Sequence, residues 1–257
     1  EFVKIIFVFF VASRLYKKSA TFLDHVITTA VAAAYVLVLV LSRDLGSAVV
    51  FFITYVVMLY VATKKPLYLF AGLGSGCLAA VIAYFLFSHV RQRVVAWRDP
   101  FSVWETSGYQ ILQGLFAIGA GGWFGVGLCK GSPELIPFVQ QDYMFAAICE
   151  ELGGLFAICM ILVCMSMFLL VVNISLRIKK RFYKLIALGL GTEYAFQVFL
   201  TIGGVSKFIP MTGITLPLVS YGGSSVLATI IMLAIIQGLY ILREDEDEEF
   251  ERQKEKI

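Results

Sequence analysis

The chain alternates long apolar runs with short polar connections. Most of the runs are close to the ~20 residues that a helix needs to cross a bilayer. They predict about seven spans, at roughly 1–14, 24–42, 47–63, 66–88, 143–174, 184–206 and 220–242. The run 143–174 is longer than a bilayer requires, so we expect it to tilt or to extend beyond the membrane. The pattern predicts an all-α, polytopic membrane protein.

Composition agrees with this prediction. Of 257 residues, 60% are hydrophobic and 15% are charged, whereas soluble domains carry about 25% charged residues. Five cysteines and two histidines form neither a disulfide framework nor the spacing of a zinc site. Glu1 is followed at once by apolar positions, without a charged signal-peptide region. We therefore expect that an N-terminal part of the protein precedes Glu1.

Lysine and arginine in the short connections predict the orientation. They follow the first, third and fifth spans: Arg14, Lys17 and Lys18; Lys64 and Lys65; Arg177, Lys179, Lys180, Arg181 and Lys184. With seven spans, all three clusters fall on one side, which the positive-inside rule makes the cytoplasm. The charged tail 243–257 falls on the same side and is expected to be disordered. The large segment 89–142 then lies outside.

Residues 110–128 are apolar enough to resemble an eighth span. An eighth span would move the cations of 177–184 to the opposite side from the other two clusters. The segment also contains six glycines, which make a poor straight helix. We expect a re-entrant or interfacial element, which is tolerated where protein or water covers its backbone.

Asp142 is the strongest candidate for chemistry. It stands where the outer segment meets an apolar run, next to lipid and accessible to water. One interpretation is a helix N-cap, a role that aspartate suits. The other is a general base, because an apolar wall disfavours the ionised carboxylate and makes it a better proton acceptor.

Cations precede Asp142 in the same outer segment. Arg91, Arg93 and Arg98, with Trp97 between them, fit an interfacial helix that contacts phospholipid headgroups. They also fit a pyrophosphate site, since the guanidinium fork matches phosphate oxygens. The two interpretations are compatible.

The connection 210–225 contains two prolines and a Gly-Gly pair before the last span, which indicates an irregular turn entering a helix. Ser224 or Ser225 is placed to cap that helix. A helix N-terminus also favours an anion.

Several ionisable residues lie inside spans, where they are functional candidates by default. They are Glu1, Lys4, Glu150, Glu151 and Glu193. Glu1 and Lys4 are three residues apart and suited to pairing. The alternative for each is a buried structural pair. Asp44, at the start of the third span, is expected to be an N-cap.

Five stretches together resemble the SEDS family (shape, elongation, division and sporulation; FtsW/RodA/SpoVE-type proteins). They are Glu1–Lys4, Asp44–Ser47, Gly108–Leu128, Asp142–Gly153 and Pro217–Ser225. Their order and spacing carry the resemblance over nearly the whole chain. It implies about ten spans in the complete protein, of which these would be the last seven.

The resemblance implies a peptidoglycan glycosyltransferase that polymerises lipid II on the outer face of the bacterial cytoplasmic membrane. It also implies a class B penicillin-binding protein as partner, and no nucleic acid. Asp142 matches the family's essential aspartate and would be the general base. Substrate contacts would come from Arg91, Arg93, Arg98, Gln113, Ser220 and Ser224. Participation of a divalent cation such as Mg²⁺ or Mn²⁺ is left open.

Two alternative functions, from other functional classes, are retained. A lipid II flippase needs polar groups along a path through the membrane, as Glu150, Glu151 and Glu193 would supply. A non-catalytic scaffold would recruit the transpeptidase and tolerate changes at Asp142. The motifs do not separate division, elongation and sporulation proteins.

Overall fold

The computed structural model of the chain describes residues 1–17 and 22–255, and within these residues the regular elements are helices. Lys18 and residues 256–257 of the tail lie outside the described residues. The α-helices are α1 Phe2–Leu15, α2 Phe22–Leu41, α3 Leu45–Thr63, α4 Pro66–Leu86, α5 Ser88–Arg98, α6 Ser107–Gly121, α7 Met144–Arg177, α8 Arg181–Val205 and α9 Gly223–Glu255. Short 3₁₀ turns follow α5 and α6.

Six of these helices, α2, α3, α4, α7, α8 and α9, are long and apolar enough to cross a membrane. The chain is thus a polytopic helical membrane protein. The first of the seven predicted spans is α1, whose 14 residues make a helix about 21 Å long. That length is less than the ~30 Å of a bilayer's hydrocarbon core.

Helix α8 lies at the centre of the bundle. It packs against α1, α3, α7 and α9. Of the residues in its most apolar stretch, 67% are buried inside the bundle. Side chains from four helices meet around it, including Val8, Met58, Ile186 and Met232. At the other extreme, α4, which is described throughout, has no buried residue. The central helix therefore carries most of the packing, and α4 lies at the periphery.

The outer segment contains two helices that do not span. Helix α5 follows α4 directly, and α6 has only 15 residues before it ends at Gly121. The segment 110–128 is therefore too short in its helical part to be an eighth span, as expected of an interfacial or re-entrant element. Helix α6 packs along α7.

Helix α7 is interrupted at Gly153, whose φ of 84° and ψ of 170° are not helical. The interruption frees backbone groups of α7, and the loop after α6 supplies their partners through four hydrogen bonds. The loop donates two of them, from Val126 N–H to Glu150 O at 2.9 Å and from Gly127 N–H to Glu151 O at 3.1 Å. Helix α7 donates the other two, from Gly154 N–H to Gly122 O at 2.8 Å and from Leu155 N–H to Trp123 O at 3.2 Å. This exchange satisfies the backbone where the surroundings are apolar and fastens the outer segment to α7.

The charged tail continues the last helix. Helix α9 extends past the apolar run to Glu255 and so includes residues 243–255. The segment is rich in Glu, Arg and Lys, which are good helix formers. It also extends an existing helix, so the unfavourable nucleation step is absent.

Two glycines of α6 test the contact between α6 and α7. A Cβ added to Gly121 would overlap the backbone carbonyl of Cys149, whereas a Cβ on Gly119 has open space around it. We expect Gly121→Ala to destabilise the protein by about 1–3 kcal/mol, because a backbone must move. Gly119→Ala should be neutral or stabilise by up to ~1 kcal/mol through helix propensity. Melting temperatures of both variants in detergent check this, and equal values would contradict the close approach.

Candidate functional site

Asp142 lies just before α7 and does not cap it. The N-cap of α7 is Tyr143, which makes no side-chain capping hydrogen bond. Asp44 provides the contrast, because its carboxylate accepts the Ser47 N–H at 3.0 Å and caps α3 as expected. The half-buried Asp142 carboxylate is therefore not committed to a helix end.

Two contacts hold the segment that carries Asp142. Gln110 of α6 donates its side-chain amide to the Pro137 carbonyl at 2.9 Å and lies 3.5 Å from Asp142 Oδ1. On the other side, the Tyr221 N–H donates to the Gln140 carbonyl at 2.7 Å. The aspartate is thus clamped between α6 and the connection that precedes α9.

Arg93 brings a positive charge to the same place. Its guanidinium is half-buried and donates to the carbonyls of Met211 at 3.3 Å and Thr212 at 2.9 Å. One turn later, the Trp97 indole donates to the Lys207 carbonyl at 3.0 Å. One face of α5 therefore lies on the connection 206–222, next to Asp142.

The electrostatics of Asp142 result from opposing effects. Burial raises the pKa of the carboxyl group above its usual range, and this effect is the largest. A hydrogen bond from its own backbone and the charge of Arg93 both act to lower the pKa. The carboxylate is more basic than an exposed aspartate and has a cation nearby.

Side chains of α8 hold the connection 206–222 in position. Gln197 donates its side-chain amide to the Thr215 carbonyl at 3.0 Å, and the Thr201 hydroxyl lies 3.1 Å from the Ile214 carbonyl. The Thr215 and Ser225 hydroxyls share a hydrogen bond of 2.9 Å. These buried side chains hold the connection 206–222 in position, and the connection in turn holds Arg93 close to Asp142.

A polar cluster inside the bundle supports Gln197. Lys4 and Glu1 form an ion pair of 2.5 Å, as their spacing suggested, and Lys4 Nζ donates to Gln197 Oε1 at 2.8 Å. Glu193, only 3% exposed, lines the same small cavity. This cluster is a structural network beneath the outer connection.

The other predicted contacts are dispersed. Arg91 is exposed and donates to the Phe85 carbonyl at 3.1 Å, towards α4. Arg98 is exposed at the end of α5, and Ser224 is exposed in the first turn of α9. Gln113 is half-buried on α6. Of the three arginines, Arg93 is the one whose charge acts on Asp142.

Ser220 has a structural role in the turn before α9. It is buried, with 4% of its surface exposed, and its hydroxyl accepts the Leu216 N–H at 3.0 Å.

Glu150 and Glu151 lie just before the interruption of α7 at Gly153. Glu150 is 9% exposed, and its Oε1 accepts the Ser132 N–H at 3.2 Å. Glu151 is half-buried, and its carbonyl accepts the Gly127 N–H at 3.1 Å. Both residues hold the outer segment, and they belong to a different cluster from Glu193.

Two grooves meet beside Asp142. One, of about 740 Å³, runs between the starts of α7 and α9 and is lined by apolar residues such as Val226, Leu227 and Ile230. The other, of about 400 Å³, lies between α7 and the outer segment. Gln140 and Met144 line both grooves. A continuous, largely apolar surface therefore passes within two residues of the carboxylate.

Within the described part of the chain, no three His, Cys, Asp or Glu side chains gather as metal ligands. A Mg²⁺ or Mn²⁺ ion at Asp142 would depend on substrate oxygens for much of its coordination, as Mg²⁺ sites often do.

Gln110 and Gln197 are the two contributors that the sequence did not single out. Gln110 is four residues before Gly114, and both lie on the α6 face that meets Tyr143 and the Asp142 segment. A spacing of four residues places Gln110 and Gly114 on one face of a helix, so the sequence could have pointed to Gln110. Gln197 follows Glu193 by one helical turn on α8, so the position of one intramembrane polar residue pointed to the other.

Comparison with known proteins shows which family the chain is similar to. A family model described as a cell cycle protein, that of the FtsW/RodA/SpoVE family, matches residues 1–244. The chain is 42% identical over 201 residues to the peptidoglycan glycosyltransferase RodA of Mycobacterium tuberculosis (strain H37Rv), covering 77% of this chain and 42% of that protein. It is 38% identical over 253 residues to RodA of Mycobacterium leprae, covering 92% and 54%.

A more distant relative is a probable peptidoglycan glycosyltransferase FtsW of Aliivibrio salmonicida, which is 36% identical over 208 residues, covering 77% of this chain and 51% of that protein. A solved structure of a peptidoglycan synthase complex that coordinates polymerization and crosslinking contains a similar chain. The match has a TM-score of 0.77 and 25% identity, and it covers 94% of this chain and 68% of that chain. The chain spans about half the length of the curated relatives it matches.

Gln197 tests the support beneath the site. Gln197→Leu removes one hydrogen bond from the Lys4 ammonium, which keeps its ion pair with Glu1, and removes the side-chain donor of the Thr215 carbonyl. We therefore expect a loss of about 1–3 kcal/mol in stability. The segment 207–219 should become more sensitive to limited proteolysis. The matched control is Gln92→Leu on the exposed face of α5, which should leave both measurements unchanged. Unaltered proteolysis of Gln197→Leu would show that the connection is held by other contacts.

Proposed function

The chain belongs to the FtsW/RodA/SpoVE family, and from that premise we propose that it is a peptidoglycan glycosyltransferase that polymerises lipid II. The observation that carries the proposal is the half-buried, uncommitted carboxylate of Asp142. It lies beside Arg93 and a largely apolar groove. A lipid-linked sugar substrate needs this combination of base, cation and apolar surface.

Asp142 is the general base in this proposal. It takes the proton from the 4-hydroxyl of the acceptor sugar as that oxygen bonds to the anomeric carbon of the donor. The bond from that carbon to the lipid pyrophosphate breaks, and its electron pair leaves with the pyrophosphate. The raised pKa of Asp142 strengthens the base, and general-base catalysis typically contributes about 10²–10⁴-fold in rate.

The leaving pyrophosphate needs positive charge rather than a strong acid. Arg93 is the cation whose charge acts to lower the pKa of Asp142, and it is held in place by two carbonyls. Arg91 and Arg98 are exposed on the same helix. We assign Arg93 to the substrate and the two exposed arginines to phospholipid headgroups or to an incoming substrate.

The apolar grooves suit the lipid part of the substrate. Gln140 and Met144 line both grooves, and Gln140 is two residues before the base. A polyprenyl chain lying on Met144, Leu227 and Ile230 would leave its pyrophosphate at the level of Asp142.

The charge distribution supports an outward-facing site. Lys64, Lys65 and the cluster 177–184 lie at the ends of α3 and α7, whereas Asp142 lies at the start of α7. By the positive-inside rule, Asp142 faces outwards from the bacterial cytoplasmic membrane, and the end of α9 faces the cytoplasm. A class B penicillin-binding protein is the proposed partner, because a similar chain belongs to a complex of polymerization and crosslinking.

Asp142→Asn tests the base. Asn keeps the shape of the side chain but cannot accept the proton, so polymerisation of lipid II by the complete protein with its partner should fall about 10²–10⁴-fold. The measurement is a gel of the glycan products, with expression and melting temperature alongside. The matched control is Asp99→Asn in the same outer segment, since Asp99 accepts the Phe101 N–H at 3.2 Å and should spare turnover.

Each result of this assay selects a function. Polymer from wild-type protein in detergent, where no membrane separates two compartments, indicates a polymerase rather than a flippase. A normal product ladder from Asp142→Asn would remove the general-base assignment and leave a scaffold as the better account.

Single cysteines test the orientation. In a cysteine-free background, Ser132→Cys should react with an impermeant thiol reagent in intact cells, and Lys180→Cys should react only after the cells are opened. The expected difference follows from the charge clusters. Labelling at 180 and not at 132 in intact cells would reverse the orientation.

A further inference from the structure

A cavity of about 1250 Å³ lies at the end of the bundle opposite Asp142. The ends of α1, α3 and α7 and the starts of α2, α4 and α8 surround it. Six of its lining side chains are cationic: Lys17, Lys64, Lys65, Lys179, Arg181 and Lys184. Among the described residues that line it, none is Asp or Glu. The catalytic proposal uses none of these residues.

Two helices begin at this cavity. Helix α4 starts at Pro66 and α8 starts at Arg181, and neither helix is capped by the side chain of its N-cap residue. A helix N-terminus carries a partial positive charge and exposes N–H donors, a combination that favours phosphate groups. The helices have 21 and 25 residues, so both dipoles are fully developed.

Parts of the lining are held in position. The Arg181 guanidinium donates to the Ala62 carbonyl at 2.6 Å, which joins α8 to the end of α3. The Ser175 hydroxyl donates to the Lys184 carbonyl at 3.1 Å. In the part of the chain that the structure describes, no carboxylate forms an ion pair with Lys64, Lys65 or Lys184. These like charges repel one another unless an anion lies between them.

We propose that this cavity binds a phosphate-bearing anion. Its position at the ends of spanning helices, together with apolar lining from Leu15, Leu176 and Leu188, favours the headgroup of an anionic membrane lipid. Basic pockets between membrane helices are sites of this kind. The phosphate accepts hydrogen bonds from the lysines and from N–H groups in the first turn of α8, and the acyl chains lie along the apolar helices. This inference does not depend on the proposed glycosyltransferase activity.

The cavity must be distinguished from the general attraction of any basic loop to an anionic membrane. The connection between α7 and α8 offers a matched comparison. Lys184 lines the cavity, whereas Arg177 and Lys180 are exposed on neighbouring turns and are not among its lining residues. A built site depends on the first residue, and a diffuse attraction depends equally on all three.

The experiment uses the complete protein in detergent. Binding of dioleoylphosphatidylglycerol, with dioleoylphosphatidylcholine as the neutral comparison, is measured by native mass spectrometry, and binding of inorganic pyrophosphate by calorimetry. The site variant is Lys65→Gln/Lys184→Gln, and the control is Arg177→Gln/Lys180→Gln. We expect the site variant to bind phosphatidylglycerol about tenfold more weakly or worse, and the control to bind it like wild type.

Every outcome bears on the proposal. Selective loss of phosphatidylglycerol in the site variant supports a lipid headgroup site. Tighter binding of pyrophosphate, lost in the same variant, supports the same site with a soluble phosphate as its ligand. Equal loss in the site and control variants, or no loss in either, overturns the proposal. Lys64→Gln/Lys65→Gln, at two exposed positions, repeats the test if the first variant fails to fold.

Discussion

The outer half of this protein depends on one constraint, namely that backbone groups in apolar surroundings need hydrogen-bond partners. Helix α7 breaks at Gly153, and a straight helix would have supplied those partners internally. The loop 121–127 supplies them instead. This exchange makes the outer segment part of the membrane bundle rather than a loose loop. The segment 136–143, which continues from it, can then hold a carboxylate at a fixed height.

Burial and a nearby positive charge act in opposite directions on the pKa of Asp142. Burial raises the pKa of Asp142 and makes its carboxylate a better proton acceptor than an exposed one. Arg93 offsets part of the burial effect while being tied to the carbonyls of the opposite connection. The carboxylate, the cation and the backbone beneath them are therefore coupled, and a change in one alters the others.

The helices were largely predictable because composition alone marks a membrane span. The run 66–88 corresponds to Pro66–Leu86, and 143–174 corresponds to Met144–Arg177. Asp142 could be singled out as a candidate because a carboxylate at the edge of an apolar run is conspicuous, and its role stays a prediction.

Which of Arg91, Arg93 and Arg98 lies near Asp142 was not predictable, because it depends on which face of α5 meets the connection 206–222. Only the packing shows that Arg93 and Trp97, four residues apart, share that face.

The hydrogen bond from Lys4 to Gln197 joins residues that are 193 positions apart in the chain. A ribosome adding about 5–20 residues per second needs roughly 10–40 s to make that stretch. During this time the hydrogen bond between Lys4 and Gln197 cannot form. Gln197 must be inserted before the Thr215 carbonyl can be fixed. The outer site is therefore assembled late in synthesis, after which the nascent protein has a rigid surface to present to lipid.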